Sequence, residues 1–202
     1  MRERPGHREA LLEGAITCIQ ERGYARTTAR DLVRASGTNL GSIGYHFGSK
    51  ERLLNEALFE GFRRWLAPLL ERAADPAPGN PWERLRETLT VVFEDLEAHR
   101  PLITSFFEAV VQAQRSDELR AQLAELYDGF RQANAEAVAS ALGEGAADAG
   151  VDPEVIASFL MAALDGLMVQ WLLDPEKPVH PHELFGSVEG ALAQAAAAAI
   201  RP

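Results

Sequence analysis

Cysteine is almost absent from this 202-residue chain, where Cys18 is the only one. An intrachain disulfide and a thiolate zinc site are thereby excluded, and Cys18 is expected as a small buried apolar side chain in a reducing compartment. Long apolar runs are missing too. No stretch approaches ~18 uninterrupted apolar residues, and Met1-Arg2-Glu3-Arg4-Pro5-Gly6 opens into charged sequence rather than a hydrophobic signal core. A cytoplasmic protein with no membrane partner is expected. Strand signals are scarce, since no Val/Ile/Thr/Tyr-rich run alternates apolar and polar residues. The chain also lacks a phosphate-binding glycine loop, a nucleophile elbow and an H-E-x-x-H motif, so an enzyme is not expected. His180-Pro181-His182, with Glu176 and Glu183 nearby, reads as a solvated proline-rich loop, because no further His or Cys converges from the same segment. Neither a metal nor a cofactor is expected.

What remains is an aliphatic, strongly charged chain. Hydrophobic residues make up 47% and charged residues 25%, which is globular rather than disordered composition. The net charge of −10 hides a division. Residues 1–50 hold eight Lys/Arg against five Asp/Glu, a balance of +3, while residues 51–202 hold twelve against twenty-five, a balance of −13. A basic head on an acidic body leaves only the head suited to a polyanion.

Period-3.6 apolar stripes recur from end to end, so the chain is expected to be all-α, with about nine helices. The dividing breakers are Gly23, Gly37, Gly48, the stretches 75–81 and 143–150, and the stretch from Asp174-Pro175 to Pro181. The first helix spans about 8–22, with Leu11, Leu12, Ala15, Ile16 and Ile19 on one face. Thr28 opens the second helix in a capping box with Asp31, and Gly37 ends it after about two turns. A short third helix, about 39–47, comes at once. Two short helices joined by a tight glycine turn, after a longer supporting helix, form the helix-turn-helix pattern.

The body begins with a long helix capped by Ser49 and running to about residue 73. Further helices start after Pro81, near Pro101, at about 117 and at Asp152-Pro153. Asp152 is a good N-cap, and a proline just after it loses no helical hydrogen bond. The segment of about 152–173 has almost no polar face and so must be covered on both sides. A last helix, about 182–200, carries Leu184, Phe185, Val188, Ala191, Leu192, Ala195 and Ala199, small enough for close approach. These last two helices are expected to form the homodimer interface.

The most informative stretch is Gly37-Thr38-Asn39-Leu40-Gly41-Ser42-Ile43-Gly44-Tyr45-His46-Phe47-Gly48-Ser49-Lys50-Glu51. With Gly23-Tyr24, Thr27-Thr28, Asp31-Leu32, Ala35-Ser36 and Leu53-Leu54 in order and spacing, it resembles the signature of the TetR family over about residues 8–60. The resemblance implies a DNA-binding head at 1–50 and a ligand-binding and dimerisation domain at 51–202. The family usually has an aromatic where this chain has Gly44, so the tyrosine contact is expected from Tyr45 in a shifted geometry.

A short recognition helix with small residues at its start enters the major groove, exposing Thr38, Asn39, Ser42 and Tyr45, with Leu40 and Ile43 turned inward. Thr27, Thr28 and the start of the second helix suit one phosphate, and Lys50 at the next helix start suits another. Arg30 is a further base or phosphate candidate, and the resemblance assigns phosphate contact to Tyr45 and His46. In the body, Ala163-Leu164-Asp165-Gly166-Leu167 and Trp171-Leu172-Leu173-Asp174-Pro175 resemble the family's eighth-helix pattern. An apolar pocket is expected from Trp65, Leu89, Phe93, Phe106, Phe107, Val110, Tyr127, Phe130, Asn134, Met161 and Asp165. Glu108 and Asp165 raise the option of a cationic ligand. The expected partners are a palindromic double-stranded operator, a small-molecule inducer and a second copy of the chain, and repression is the family default.

Overall fold

The computed structural model describes residues 6–74, 81–142, 150–177 and 180–199, apart from the side chains of 72–74, 81, 82, 84, 85, 141, 181, 185, 192, 193 and 195–199. Among the described residues there are nine helices and no strand. They are α1 (His7–Arg22), α2 (Ala29–Ser36), α3 (Leu40–Phe47), α4 (Lys50–Ala74), α5 (Pro81–Glu94), α6 (Arg100–Ala113), α7 (Asp117–Leu142), α8 (Pro153–Leu173) and α9 (Pro181–Ala199). The expected breakers at 75–80 and 143–149 lie outside the described residues, as do the side chains of the expected face positions Phe185, Leu192, Ala195 and Ala199.

Two compact units divide the chain: Met1–Pro68 with Glu97–Gly129, and Leu69–Leu96 with Phe130–Pro202. Their borders fall inside α4 and α7, at Pro68 and Gly129. Both residues weaken a helix, because proline has no N–H for the preceding turn and glycine adds backbone freedom. The packing division therefore does not follow a border at residue 50. Residues 51–68 and 97–129 share a core with the first three helices.

In the first unit, α1 buries Leu11, Ala15, Ile16, Cys18 and Ile19, and α4 contributes the fully buried Leu53, Leu54, Ala57 and Leu58. Burial pushes the Cys18 thiol pKa up, as suits an inert core thiol. Gly14 brings α1 and α2 close together: a Cβ there would stand 2.9 Å from the Ser36 backbone nitrogen. Gly61 plays the same part between α4 and α6, where a Cβ would stand 3.0 Å from Leu102 Cδ1.

Local chemistry sets the helix ends. The Asp31 N–H donates to Thr28 Oγ1 at 3.2 Å while the Thr28 N–H donates to the Asp31 carboxylate at 3.1 Å, completing the capping box. Gly37 closes α2 in the left-handed region at φ 65°. Gly23 ends α1 at φ 81° with an extended ψ, so it is a positive-φ cap but not a left-handed helical one. Ser49 Oγ accepts from the Arg52 N–H at 3.1 Å at the start of α4.

The turn between α1 and α2 is held from two further helices of the same unit. The Tyr24 N–H donates to Ser105 Oγ on α6 at 3.0 Å, and the Tyr24 hydroxyl donates to Asn55 Oδ1 on α4 at 2.9 Å. Ion pairs tie α1 to α4 at the surface, Arg8 with Glu56 and Arg64 with Glu13. Arg64 also holds Glu60 at 2.8 Å.

In the second unit, Leu89 of α5, Ala137 and Val138 of α7 pack with Leu142, Ile156, Leu160 and Leu164. α9 packs on α5. Asp152 caps α8 by accepting from the Glu154 N–H at 2.9 Å. α8 buries Ala157, Leu167, Met168 and Trp171 but exposes Val155, Phe159, Val169 and Leu173.

Gly14→Ala should destabilise the protein despite alanine's helix advantage of about 1 kcal/mol. Forcing a methyl against the backbone of α2 costs about 1–3 kcal/mol, so a lower Tm is expected in thermal melts. A second expectation concerns acid. The hydrogen bond from Arg64, outweighing partial burial, holds the Glu13 carboxyl below its ordinary 4.5. A lowered folded-state value means the stabilisation is present above the unfolded value and is lost as pH falls through the folded one. For this exposed pair it amounts to about 0.2–1 kcal/mol. The Tm gap between the protein and Glu13→Gln should be constant from about pH 7 to 5 and close below about pH 4.

Candidate nucleic-acid interface

α3 has two clearly different faces. Ser42, Ile43 and Phe47 are buried and His46 is half-buried, whereas Leu40, Gly41, Gly44 and Tyr45 are exposed. The helical period places Gly41, Gly44 and Tyr45 on one face, with Leu40 at its edge in the first turn. Tyr45, 85% exposed, projects furthest from the core. Asn39 caps the helix, its Oδ1 accepting from the Ser42 N–H at 3.1 Å.

The other residues expected at the interface differ in exposure and in partners. Arg30 on α2 is exposed, and so is Thr28, although the Thr28 hydroxyl is committed to Asp31 at 2.6 Å. His46 lies edge-on to Tyr45 at 4.8 Å, and the His7 ring of α1 approaches His46 at 6.5 Å. Lys50 is half-buried, with Nζ 3.5 Å from the Thr27 carbonyl and 3.6 Å from Glu51. Asp31 is held well below its ordinary value, first by its hydrogen bonds from Thr28 and then by Arg22 and Arg34. It stays ionised as the cap and partly neutralises two of the head's arginines.

Four expectations are corrected by this arrangement. Leu40 does not pack inward: it is 57% exposed in the first turn of α3, although Ile43 and Phe47 of similar register are buried. Thr27 is 1% exposed, and its hydroxyl donates to the Gly23 carbonyl at 2.8 Å, so the side chain braces the turn and does not reach a phosphate. Ser42 is buried at 8% and offers no hydroxyl to bases. Thr38 is half-buried and its hydroxyl lies 2.7 Å from that of Ser36, closing the turn from within.

The residues expected to line a pocket fall into separate groups. In the first unit, Phe106 is a hub, 4.7 Å from Phe62, 5.8 Å from Phe107 and 5.8 Å from Tyr127. Trp65 stacks on His99 at 4.3 Å and 8°, and its buried Nε1 donor has no partner among the described residues. Val110, half-buried, belongs to the same unit. Leu89, Phe93, Phe130, Asn134, Met161 and Asp165 belong to the second. There the Asn134 amide donates to the Phe130 carbonyl at 2.8 Å, and Phe93 meets His180 edge-on at 5.6 Å. Glu108 is exposed on α6, which removes it from an aromatic pocket, while Asp165 is half-buried.

Sequence reasoning missed the polar link of Tyr24 to Ser105 and Asn55, since residues 81 and 31 apart leave no local pattern. It also missed the outward turn of Leu40. Spacing carried no signal for it, because Leu40 stands in register with the buried Ile43 and Phe47 as much as with Gly44.

Known proteins share these features. The tetR family of bacterial regulatory proteins matches residues 11–57, and the C-terminal region of BetI-type transcriptional repressors matches residues 81–198. The HTH-type transcriptional repressor KstR2 of Mycobacterium tuberculosis is 36% identical over 99 residues, covering 49% of this chain and 48% of its own. The chain thus spans about half the length of that curated relative. A transcriptional regulator structure from Pseudomonas aeruginosa PAO1 has the same fold, with a TM-score of 0.68 at 23% identity over 94% of this chain and 90% of its own. The multidrug binding protein EbrR complexed with proflavin gives a TM-score of 0.59 at 27% identity over 88% of this chain and 94% of its own. Matched both through its helix-turn-helix head and through most of its C-terminal region, the chain belongs to the TetR family of bacterial transcriptional regulators.

Proposed function

We propose that the protein is a cytoplasmic, ligand-responsive transcriptional repressor. It acts as a homodimer whose heads, residues 1–50, occupy successive major grooves of a palindromic operator about 34–36 Å apart. A small-molecule inducer bound by the region 51–202 releases it. The observation that carries this reading is the capped helix-turn-helix with α3 presenting Tyr45 at 85% exposure and α2 an exposed Arg30, on the part of the chain with a balance of +3. Family membership supports it, as do the repressors among the relatives.

The DNA contacts assigned on this reading are Arg30, Asn39 and Tyr45, together with His46, Lys50 and the backbone at the start of α2 by Thr28. Regulation results if the inducer prefers the form that binds DNA poorly, by about 1–3 kcal/mol for a typical coupling. Trp65, Phe106, Phe107 and Tyr127 are the residues assigned to it in the first unit. An aromatic set with one unsatisfied indole N–H favours a planar ligand carrying a hydrogen-bond acceptor. EbrR, complexed with proflavin, sets a precedent for a planar ligand in a relative of similar fold.

The exposed apolar side of α8 supports dimerisation. A cleft of about 150 Å³ lined by Leu89, Phe159, Leu160, Ala163, Leu164, Leu167, Leu184 and Val188 opens between α5, α8 and α9. Phe159 is 69% and Val188 46% exposed along it. α8 is long and apolar enough to cross a membrane by length and composition alone. Its Asp152 cap and its own buried stripe fit a helix of a globular dimer better.

Two outcomes test the reading. Tyr45→Ala and Lys50→Ala should each weaken binding to promoter DNA in fluorescence anisotropy, by about tenfold. The Lys50 variant should also lower the salt slope by about one, the mark of a lost phosphate contact. Unchanged affinity and slope for both would remove these residues from the interface. In sedimentation, the protein should be a dimer and Phe159→Glu a folded monomer, since a buried carboxylate at the interface costs several kcal/mol. A Phe159→Glu protein that remains dimeric would remove α8 from the interface.

A further inference from the structure

The outward stripe of α3 is unusually poor in hydrogen-bonding groups. Ser42 is buried, the Thr38 hydroxyl is paired with Ser36, and Asn39 Oδ1 is taken by the helix cap. Gly41 and Gly44 contribute no side chain, and a Cβ at Gly44 would meet nothing within 4 Å. What stands out from the first turn is an aliphatic group, Leu40, at 57% exposure. The absence of side chains at Gly41 and Gly44 leaves it prominent and lets the helix backbone approach a surface closely.

On the assignment of α3 to the major groove, which this inference rests on, the floor of that groove offers one apolar feature. That feature is the C5 methyl of thymine; the other base edges are donors and acceptors. A solvent-exposed leucine at the start of the helix gains nothing from those polar edges but gains by removing a methyl and itself from water. The surroundings fit nucleic acid better than an apolar protein partner. Arg30 is exposed on α2, Tyr45 is exposed on the same helix as Leu40, and the first fifty residues carry a balance of +3. We propose that Leu40 is a specificity-determining residue of the recognition helix and selects thymine by contact with its 5-methyl group.

Replacing thymine by uracil removes that methyl and leaves every Watson–Crick and groove hydrogen bond in place. The full-length protein is first used to select duplexes from random DNA, and each thymine of the selected half-site is then replaced singly by uracil. At one or two symmetry-related positions, affinity should fall by about fourfold per methyl, the ratio that corresponds to burying one CH2-sized group. Leu40→Ala should bind thymine and uracil duplexes alike, and Leu40→Met, which keeps an apolar tip, should keep the preference. Uracil tolerated at every position, half-sites selected without thymine, or an equal uracil penalty in Leu40→Ala would each overturn the assignment. The uracil series uses the unsubstituted protein, so it stands whatever the stability of the variants. Failure of that protein to bind any duplex would instead defeat the DNA-binding reading itself, and this inference with it.

Discussion

The close approach of α1 and α2 at Gly14 is the contact on which the head depends. With no side chain at that position, the backbone around Ser36 lies against α1, and Leu32 and Ile16 can be buried between the two helices. The end of α2 is thereby fixed. Gly37, in the left-handed region, then turns the chain directly into α3. Once Ile43 and Phe47 point into the core, the helical period turns Gly41, Gly44 and Tyr45 outward, and Leu40, at the boundary of the two faces, is left exposed in the first turn. The reading surface is the remainder of a packing solution, and its composition is set by which residues the core has already taken.

The same unit extends beyond the first three helices. Tyr24 links the turn before α2 to Ser105 on α6 and to Asn55 on α4, and both partners are nearly buried. The Ser105 hydroxyl accepts from Tyr24 while donating its one proton to the Pro101 carbonyl at 2.6 Å. Burial, with a smaller push from Glu51, raises the Tyr24 phenol pKa, which keeps the proton that the bond to Asn55 requires. Under the proposed regulatory role, α6 needs no long relay to reach the head, because it already holds the turn that leads into α2.

Local features of this fold were legible in the sequence, and non-local ones were not. The Thr28–Asp31 capping box, the Ser49 and Asp152 caps and the glycine stops each depend on residues within a few positions, and all of them formed. The buried Cys18 could be read from composition. Leu40 shares the register of the buried Ile43 and Phe47, yet it stands in the first turn of α3 and stays exposed, which its spacing alone does not encode. Thr27 and Ser42 were read as available hydroxyls, yet their burial is decided by the packing of three helices together. The pocket residues show the same limit. Each sits in an apolar stripe, but which aromatic meets which depends on helix rotations that no single stripe encodes. Glu108, placed near that set by sequence proximity, points to solvent.

The central claim is that two copies of this α3 read one duplex from successive major grooves. Hydroxyl-radical footprinting of the full-length protein on its best selected duplex tests that geometry most directly. The account predicts two protected patches related by two-fold symmetry, on one face of the DNA, with their centres about one helical turn or a whole multiple of it apart. A single protected patch, or two whose spacing places them on opposite faces, would contradict it.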